Sequence, residues 1–380
     1  MFNRILKLPL DGQSSIFLFG PRGTGKTSWL KEHLPTALYL DLLDFETLNM
    51  LSSNPGRLEG LIPADFQDWI IIDEVQKVPE LLNEVHRLIE GRKLRFLLTG
   101  SSARNLRKKG TNLLAGRALT YYMHPLVIQE IDGNFDLNRA LTYGMLPNAV
   151  THPDPKQYLK SYIQTYIREE VLQEGLTRNI GSFNSFLEAA SFSQGSLLNF
   201  SKIGRELNLN RLLVSNYFDI LDDLLLAKRL MPFTRRAKRE MVAHQKFYFF
   251  DAGVYSILRP RGLIDTREEI EGAALETLFL QSIQAINDYY NYEYTIYFWR
   301  TQGGAEVDFI LYGPRGFHAF EIKRSSKVTS DALKGLKLFG EDYPEAKLHL
   351  IYLGKHKQYQ GPITSIPFME ALQALPEMLK

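Results

Sequence analysis

The chain has 380 residues, 44% hydrophobic and 23% charged, a composition that places it among ordinary globular proteins and leaves room for two or three domains. A formal net charge of +2 and a pI near 8.4 are too mild to imply nucleic acid by themselves, so any such partner must be argued from local clustering. The absence of cysteine excludes disulfides, thiolate zinc sites and thiol nucleophiles; no apolar run reaches 18 residues and MFNRILKLPLDG is too interrupted for a secretory segment, so a cytoplasmic protein with no membrane association is expected.

SSIFLFG at 14–20 is a short apolar run ending in glycine, and PRGTGKT leads from it into the helical spacing of SWLKEHL. The pattern Gly20-x-x-x-x-Gly25-Lys26-Thr27 is a complete P-loop in a strand, loop and helix context. Gly20, Pro21, Arg22, Gly23, Thr24, Gly25, Lys26, Thr27 and Ser28 are therefore expected to bind ATP. Backbone N–H groups would close around the phosphates, Lys26 would reach the β and γ oxygens, and Thr27 would bind Mg²⁺. YLDLLD at 39–44 predicts a second strand. DWIIIDEV at 68–75 predicts a buried strand closed by Asp73, for the Mg²⁺ shell, and Glu74, to orient or deprotonate the attacking water. LRFLLTG at 94–100 brings Thr99, Ser101 and Ser102 beside the γ-phosphate, and ALTYYMHPL at 118–126 predicts a fifth strand. Strands alternating with helices such as PELLNEVHRLIEG predict an α/β fold with a parallel sheet covered on both faces.

GPRGTGKT, IIIDEVQKVP, LLTGSSARNL and LLAGRALTYYMHPL, in this order, resemble a large family of bacterial and archaeal AAA-type P-loop ATPases that carry a C-terminal region of unknown function. The resemblance implies a homo-oligomer in which an arginine acts across a subunit boundary on transition-state charge; Arg117 holds the matching place and Arg104 is its rival.

From 135 to 190 the pattern is helical, with Tyr158, Tyr162 and Tyr166 beside Ile163 and Ile167 at helical spacing. This predicts a joint or lid with an aromatic core face, from which Arg168 could reach the nucleotide. LLNFSKIGRELNLNRLLVSNYFDILDDLLLAKRL at 197–230 has the layout of a winged helix-turn-helix, with Ser201 as the expected N-cap and TRRAKRE as the wing, and the family resemblance implies the same. Lys228, Arg229, Arg235, Arg236, Lys238 and Arg239 stand against one acid, Glu240. Charge favours DNA as the partner of this wing; a protein partner is the alternative.

EEIEGAALETLFLQSIQAINDYY predicts a long helix with Leu275, Leu278, Phe279, Ser282 and Ile286 on one side and Glu276 among them. The strands TIYFWR, AEVDFIL, FHAFEIK and LHLIYLG follow. Glu306 and Asp308 share a strand face, as do Glu321 and Lys323. If the strands pair across YGPRG, Asp308 and Glu321 would bind Mg²⁺, or Mn²⁺ in its place, Glu276 would complete the shell, and Lys323 would activate water. The arrangement resembles the PD-(D/E)xK nuclease superfamily, with Val307 in the place of the motif's proline.

The chain thus predicts an AAA-type ATPase core over 1–130, a helical joint over 131–190, a winged helix over 191–255 and a restriction-endonuclease-like α/β domain over 256–380. ATP hydrolysis would be coupled to DNA binding or processing; the alternative is a regulatory switch whose winged helix binds protein and whose nuclease-like domain is inactive.

Overall fold

Strands buried on both faces read as continuous apolar runs, and every residue of Ser15–Phe19 and Trp69–Asp73 is buried. The computed structural model describes residues 2–101, 106, 114, 116–133, 135–167, 171, 180–263 and 265–380. In it β1 (Ser15–Phe19), β2 (Leu38–Asp41), β3 (Trp69–Asp73), β4 (Arg95–Gly100) and β5 (Ala118–Tyr122) form one sheet. Their order is β2-β3-β4-β1-β5 and each neighbouring pair is parallel, as the alternation of strands and helices predicts. Phe17, Phe19, Ile70, Ile72 and Leu98 share a core with Leu81, Leu82, Val85 and Leu88 of the helix Leu81–Arg92. All five strands point the same way, so the residues that follow them gather along one edge, where parallel α/β sheets bind ligands.

Leu6–His124 with Asp223–Leu225 form one compact unit; Met1–Ile5, Pro125–Asp222 and Leu226–Lys380 form another. The second unit begins with the helices Leu137–Tyr143, Pro147–Thr151 and Pro155–Ser161. Tyr158, Tyr162 and Tyr166 form a ladder with ring centroids 6.3 and 5.0 Å apart, and the last two are buried, so this stripe is core. Arg104, Arg168 and Ser102 lie outside the described residues. The helix Phe200–Leu207 starts earlier than Ser201 predicts: Asn199 is the cap, accepting the Lys202 N–H at 2.9 Å, and Ser201 lies in the first turn. Asn208 breaks the helix at φ 54°, and Asn210 accepts the Leu213 N–H at 2.8 Å to start Arg211–Asp223.

β6 (Ser196–Leu197), β7 (Ala227–Pro232), β8 (Lys246–Phe249), β9 (Thr295–Arg300), β10 (Glu306–Gly313), β11 (Gly316–Lys323), β12 (Lys347–Tyr352), β13 (Gln358–Gln360) and β14 (Ile363–Pro367) form a single sheet, ordered β13-β14-β12-β11-β10-β9-β7-β8-β6. The hairpin β7–β8 therefore continues the C-terminal sheet, with Met231 and Pro232 of β7 paired to Tyr297 and Phe298 of β9. The segments expected as separate domains on either side of residue 255 share their strands. Pairing satisfies edge groups that an isolated hairpin would expose.

Between Val307 and Ile310 the pairing of β10 with β9 shifts register, and such a bulge re-aims side chains. Val307 and Ile310 pack with Leu336 and Phe339 of the helix Lys334–Asp342. Phe309 and Phe320 face the opposite way, with ring centroids 6.3 and 5.4 Å from Phe279 on the helix Arg267–Tyr289. No helix among the described residues is long and apolar enough to cross a membrane.

Candidate functional site

At the end of β1 the chain turns away from the sheet without side-chain bulk: a Cβ on Gly20 would collide with the carbonyl oxygen of Met123. Gly23 and Gly25 take φ of 80° and 97°, a region costly for residues with a Cβ. Thr24 Oγ1 donates to the Pro21 carbonyl at 2.8 Å and closes the loop. Gly25 ends it as the N-cap of the helix Lys26–His33, which has no side-chain cap, so its first N–H groups suit a phosphate. Lys26 is buried, with its ammonium hydrogen-bonded to the carbonyls of Gly20 at 2.6 Å and Pro21 at 3.3 Å. Arg22 is exposed on the same loop, and Ser28 is exposed in the first turn of the helix.

Asp73, the last residue of β3, is 2% exposed and is held by hydroxyls. Thr27 Oγ1 donates to its Oδ2 at 2.8 Å, Tyr39 donates to the same oxygen, and Thr99 donates to Oδ1. Burial and the Asp73 carboxylate together push the Tyr39 hydroxyl far above its ordinary pKa, which keeps it a donor. Tyr39 comes from β2, the strand beside β3, and escaped the sequence reading because strand adjacency is not local information.

Adjacent residues on a strand point to opposite faces. Glu74 escapes that alternation because its backbone is left-handed, φ 62° and ψ 44°, a conformation that costs a non-glycine residue about 1–2 kcal/mol. The turn keeps Glu74 at the sheet edge beside Asp73, 8% exposed, with the Glu74 N–H donating to Thr99 Oγ1 at 3.2 Å. Gln76 holds the acid: its amide donates to Glu74 Oε2 and, at 3.0 Å, to Ser101 Oγ. Thr99 and Ser101 thus fall where the sequence predicts, at the end of β4. Gln76 is a further residue beside Glu74; its place just after the strand-ending acids Asp73 and Glu74 was the available signal.

The glycine cradle, the unplugged helix start, and Thr27 joined to Asp73 fit a nucleoside triphosphate with Mg²⁺. Arg117 stands elsewhere. Its carbonyl accepts the N–H of Ser15 at 3.1 Å, so it lies by the N-terminal end of β1, and its side chain pairs with Glu90. The five residues of β1, at about 3.3 Å each, separate it from Gly20. It serves no nucleotide on its own chain.

The C-terminal acids do converge, and what they converge on is a lysine. Lys246 of β8, with a side chain 2% exposed, places Nζ 2.7 Å from Glu306, 2.8 Å from Asp308 and 3.5 Å from Glu276. Tyr248 donates to Glu276 Oε2 at 2.7 Å, Arg300 pairs with Glu306 Oε2 at 2.9 Å, and the Ile322 N–H meets Asp308 Oδ2 at 2.9 Å. Gly195, at φ 66°, sits where a Cβ would come within 3.1 Å of the Glu276 carboxylate. On β11 Lys323 binds Glu321 Oε1 at 2.6 Å, while the buried Oε2 has no partner among the described residues.

Burial, then the Asp308 charge, push Glu321 up to about 8 and Glu276 up to about 7. Burial opposes the charge of Asp308 as well, but Lys246 and Lys323 outweigh it and hold that carboxyl below its ordinary range. Of the expected metal set, Glu276 and Asp308 face Lys246 and Glu321 faces Lys323, and among the described residues no group of three or more acids or histidines is arranged to hold a metal ion. A dication about 4 Å from the Lys246 ammonium would meet a repulsion of about 8 kcal/mol at an effective dielectric of 20. Lys246 was legible as the one charge opening the apolar strand KFYFF, but nothing local gave it a partner.

The basic wing is largely spoken for within the fold. Arg239 pairs with Asp342 at 2.9 Å and Glu341 at 3.0 Å, and Lys238 donates to the Glu341 carbonyl at 3.2 Å. These cations offset two acids at the C-terminal end of the helix Lys334–Asp342, where the helix dipole disfavours negative charge. The Arg235 guanidinium lies 5.0 Å from the Tyr312 ring centroid, and Arg229 pairs with Asp219 and Asp222. Lys228, Arg235, Arg236, Lys238 and Arg239 are all exposed.

Residues 12–132 match the profile of an AAA domain, and residues 134–263 and 271–370 match two domains of unknown function. Two relatives are each 25% identical over 362 residues, covering 93% of this chain and 79% of their own: the uncharacterized proteins Rv2008c of Mycobacterium tuberculosis and Mb2031c of Mycobacterium bovis. Among solved structures, the ORC1 protein of Aeropyrum pernix in complex with DNA aligns over 64% of this chain and 86% of its own at 14% identity and a TM-score of 0.27. Protein VC1899 of Vibrio cholerae aligns over 91% and 97% at 12% identity and a TM-score of 0.23. The match to the AAA domain falls on the N-terminal unit's five-stranded parallel sheet and its P-loop.

Proposed function

We propose that this chain is an ATP-hydrolysing switch whose second unit holds or releases a protein partner according to the nucleotide in the first. The observation that carries the catalytic half is the hydrogen bond between Thr27 and Asp73 beside the left-handed Glu74. Lys26 would exchange its loop carbonyls for phosphate oxygens, and Thr27 and Asp73 would hold the Mg²⁺ shell. Bound Mg²⁺ supplies neutralisation of the phosphate charge. Glu74, handed over by Gln76, would orient the attacking water and accept its proton. Thr99 would keep Asp73 and Glu74 in fixed relation through one hydroxyl. Arg117, remote from its own P-loop, would act across a subunit boundary. Mixing Arg117→Ala with Glu74→Gln chains should then recover part of the ATPase rate; no recovery removes Arg117 from the reaction.

The pairing of Arg239 with Glu341 and Asp342 lowers the net positive charge of the wing and favours a protein partner over DNA. The DNA-coupled reading keeps the exposed Lys228, Arg235, Arg236 and Lys238 of the wing, and Lys202, Arg205 and Arg211 on exposed helix positions. ATP turnover measured alone and with single-stranded, duplex and branched DNA separates the two. The switch reading expects no stimulation; salt-sensitive stimulation by one DNA form, lost on Arg236→Ser, would install DNA as the partner.

A further inference from the structure

We infer that the Lys246 ammonium stands where a divalent cation would sit among Glu276, Glu306 and Asp308, so that the second unit carries a nuclease-like frame that takes no metal and cuts no nucleic acid. The helix Arg267–Tyr289 and strand β10 bring three carboxylates to one Nζ at 2.7, 2.8 and 3.5 Å. The two shorter are hydrogen-bond distances of an ammonium and the third is that of an ion pair; a hard dication would draw the same oxygens to about 2.0–2.6 Å.

The ammonium cannot step aside. β8 lies inside the sheet, between β7 and β6, with Lys246 itself paired to Leu230 and Leu197, and the side chain is buried to its tip. The surrounding oxygens are also engaged, by Tyr248, Arg300 and the Ile322 N–H. Lys323, the residue expected to activate water, is bound to Glu321. An ammonium balances carboxylate charge but lacks the Lewis acidity that makes hydroxide from bound water at neutral pH. What Lys246 accomplishes instead is mechanical: it ties β8 to β10 across the two strands between them and to the long helix, joining the hairpin and the C-terminal sheet into one body. This holds whether or not the first unit hydrolyses ATP.

The test is a calorimetric titration of the full chain with Mn²⁺ in a Lys26→Ala background, which removes the P-loop from the count. The parent should bind no Mn²⁺ at the C-terminal cluster. Adding Lys246→Ala should create one site per chain, at least tenfold tighter than anything in the parent, and Asp308→Asn should erase it. Thermal unfolding gives a second readout: Mn²⁺ should raise the melting temperature of the Lys246→Ala chain and leave the parent's unchanged. Mn²⁺ binding by the parent that disappears on Asp308→Asn overturns the inference, as does a Lys246→Ala chain that neither binds Mn²⁺ nor is stabilised by it. A variant that folds only with Mn²⁺ present supports it, and one that stays unfolded in Mn²⁺ counts against it. Mn²⁺-dependent DNA cutting by the wild-type chain, abolished by Asp308→Asn, would also sink it.

Discussion

Asp73 and Asp308 are buried to a similar degree, 2% and 5% exposed, and each is gripped by several donors, yet the donors differ in kind. Around Asp73 they are the hydroxyls of Thr27, Tyr39 and Thr99, which are neutral and can rotate to share the carboxylate with a cation. Around Asp308 the principal donor is an ammonium that already answers the charge. One acid is held by neutral donors and the other by a cation. Acid count and spacing alone do not distinguish them; the charge on the donors does.

The largest consequence concerns turnover. Lys26→Ala should abolish nucleotide binding, and Glu74→Gln should bind ATP while hydrolysing it about a hundredfold or more slowly. Asp308→Asn should leave turnover at saturating ATP unchanged, as measured by phosphate release. Near-normal hydrolysis by Glu74→Gln would remove the contrast at its root.

Gln76→Ala should slow hydrolysis roughly ten- to hundredfold without altering nucleotide affinity, because Glu74 loses the amide that sets its position. A change in affinity with turnover intact would make Gln76 a structural residue of the loop.

Stability should show the reverse asymmetry. Removing Asp308 takes from the buried Lys246 one of its two nearest carboxylates, so Asp308→Ala should cost the second unit about 3–5 kcal/mol in chemical denaturation. Asp73→Ala strands only hydroxyls and should cost the first unit about 1–3 kcal/mol. Equal losses would mean that the two carboxylates are held alike.

The smallest effect is a pH slope. The folded chain keeps the Glu321 proton up to about pH 8, whereas the unfolded chain loses it near 4.5. Its contribution to stability is therefore complete below pH 4.5 and is lost as pH rises toward 8, and Glu276, raised to about 7, acts with the same sign. His318 and His349, pushed by burial down to about 4 and 3, contribute in the opposite direction, but only below their ordinary value of 6.5. Between pH 6.5 and 8 the carboxyls should dominate, and stability should fall by about 2 kcal/mol across the interval. Glu321→Gln should flatten the fall; an unaltered slope would assign it to other groups.

The P-loop, Asp73, Glu74, Thr99 and the parallel sheet were legible because phosphate chemistry dictates residue types at short spacings, and buried parallel strands announce themselves as apolar runs. Tyr39 and Lys246 were not, since each reaches its partner only through strand order. Lys246 stands 62 residues before Asp308 in sequence. The ion pairs of Arg239 were illegible for the same reason, since only the helix Lys334–Asp342 brings Glu341 and Asp342 to it. Pro232 pairs with Phe298 across the expected boundary at residue 255, a bond invisible along the chain.

Counting Mn²⁺ per chain tests the contrast most directly. In the Glu74→Gln chain saturated with ATP, electron paramagnetic resonance should find one tightly bound Mn²⁺, lost when ATP is withdrawn. Two bound ions, with the second surviving nucleotide removal and vanishing on Asp308→Asn, would contradict the account.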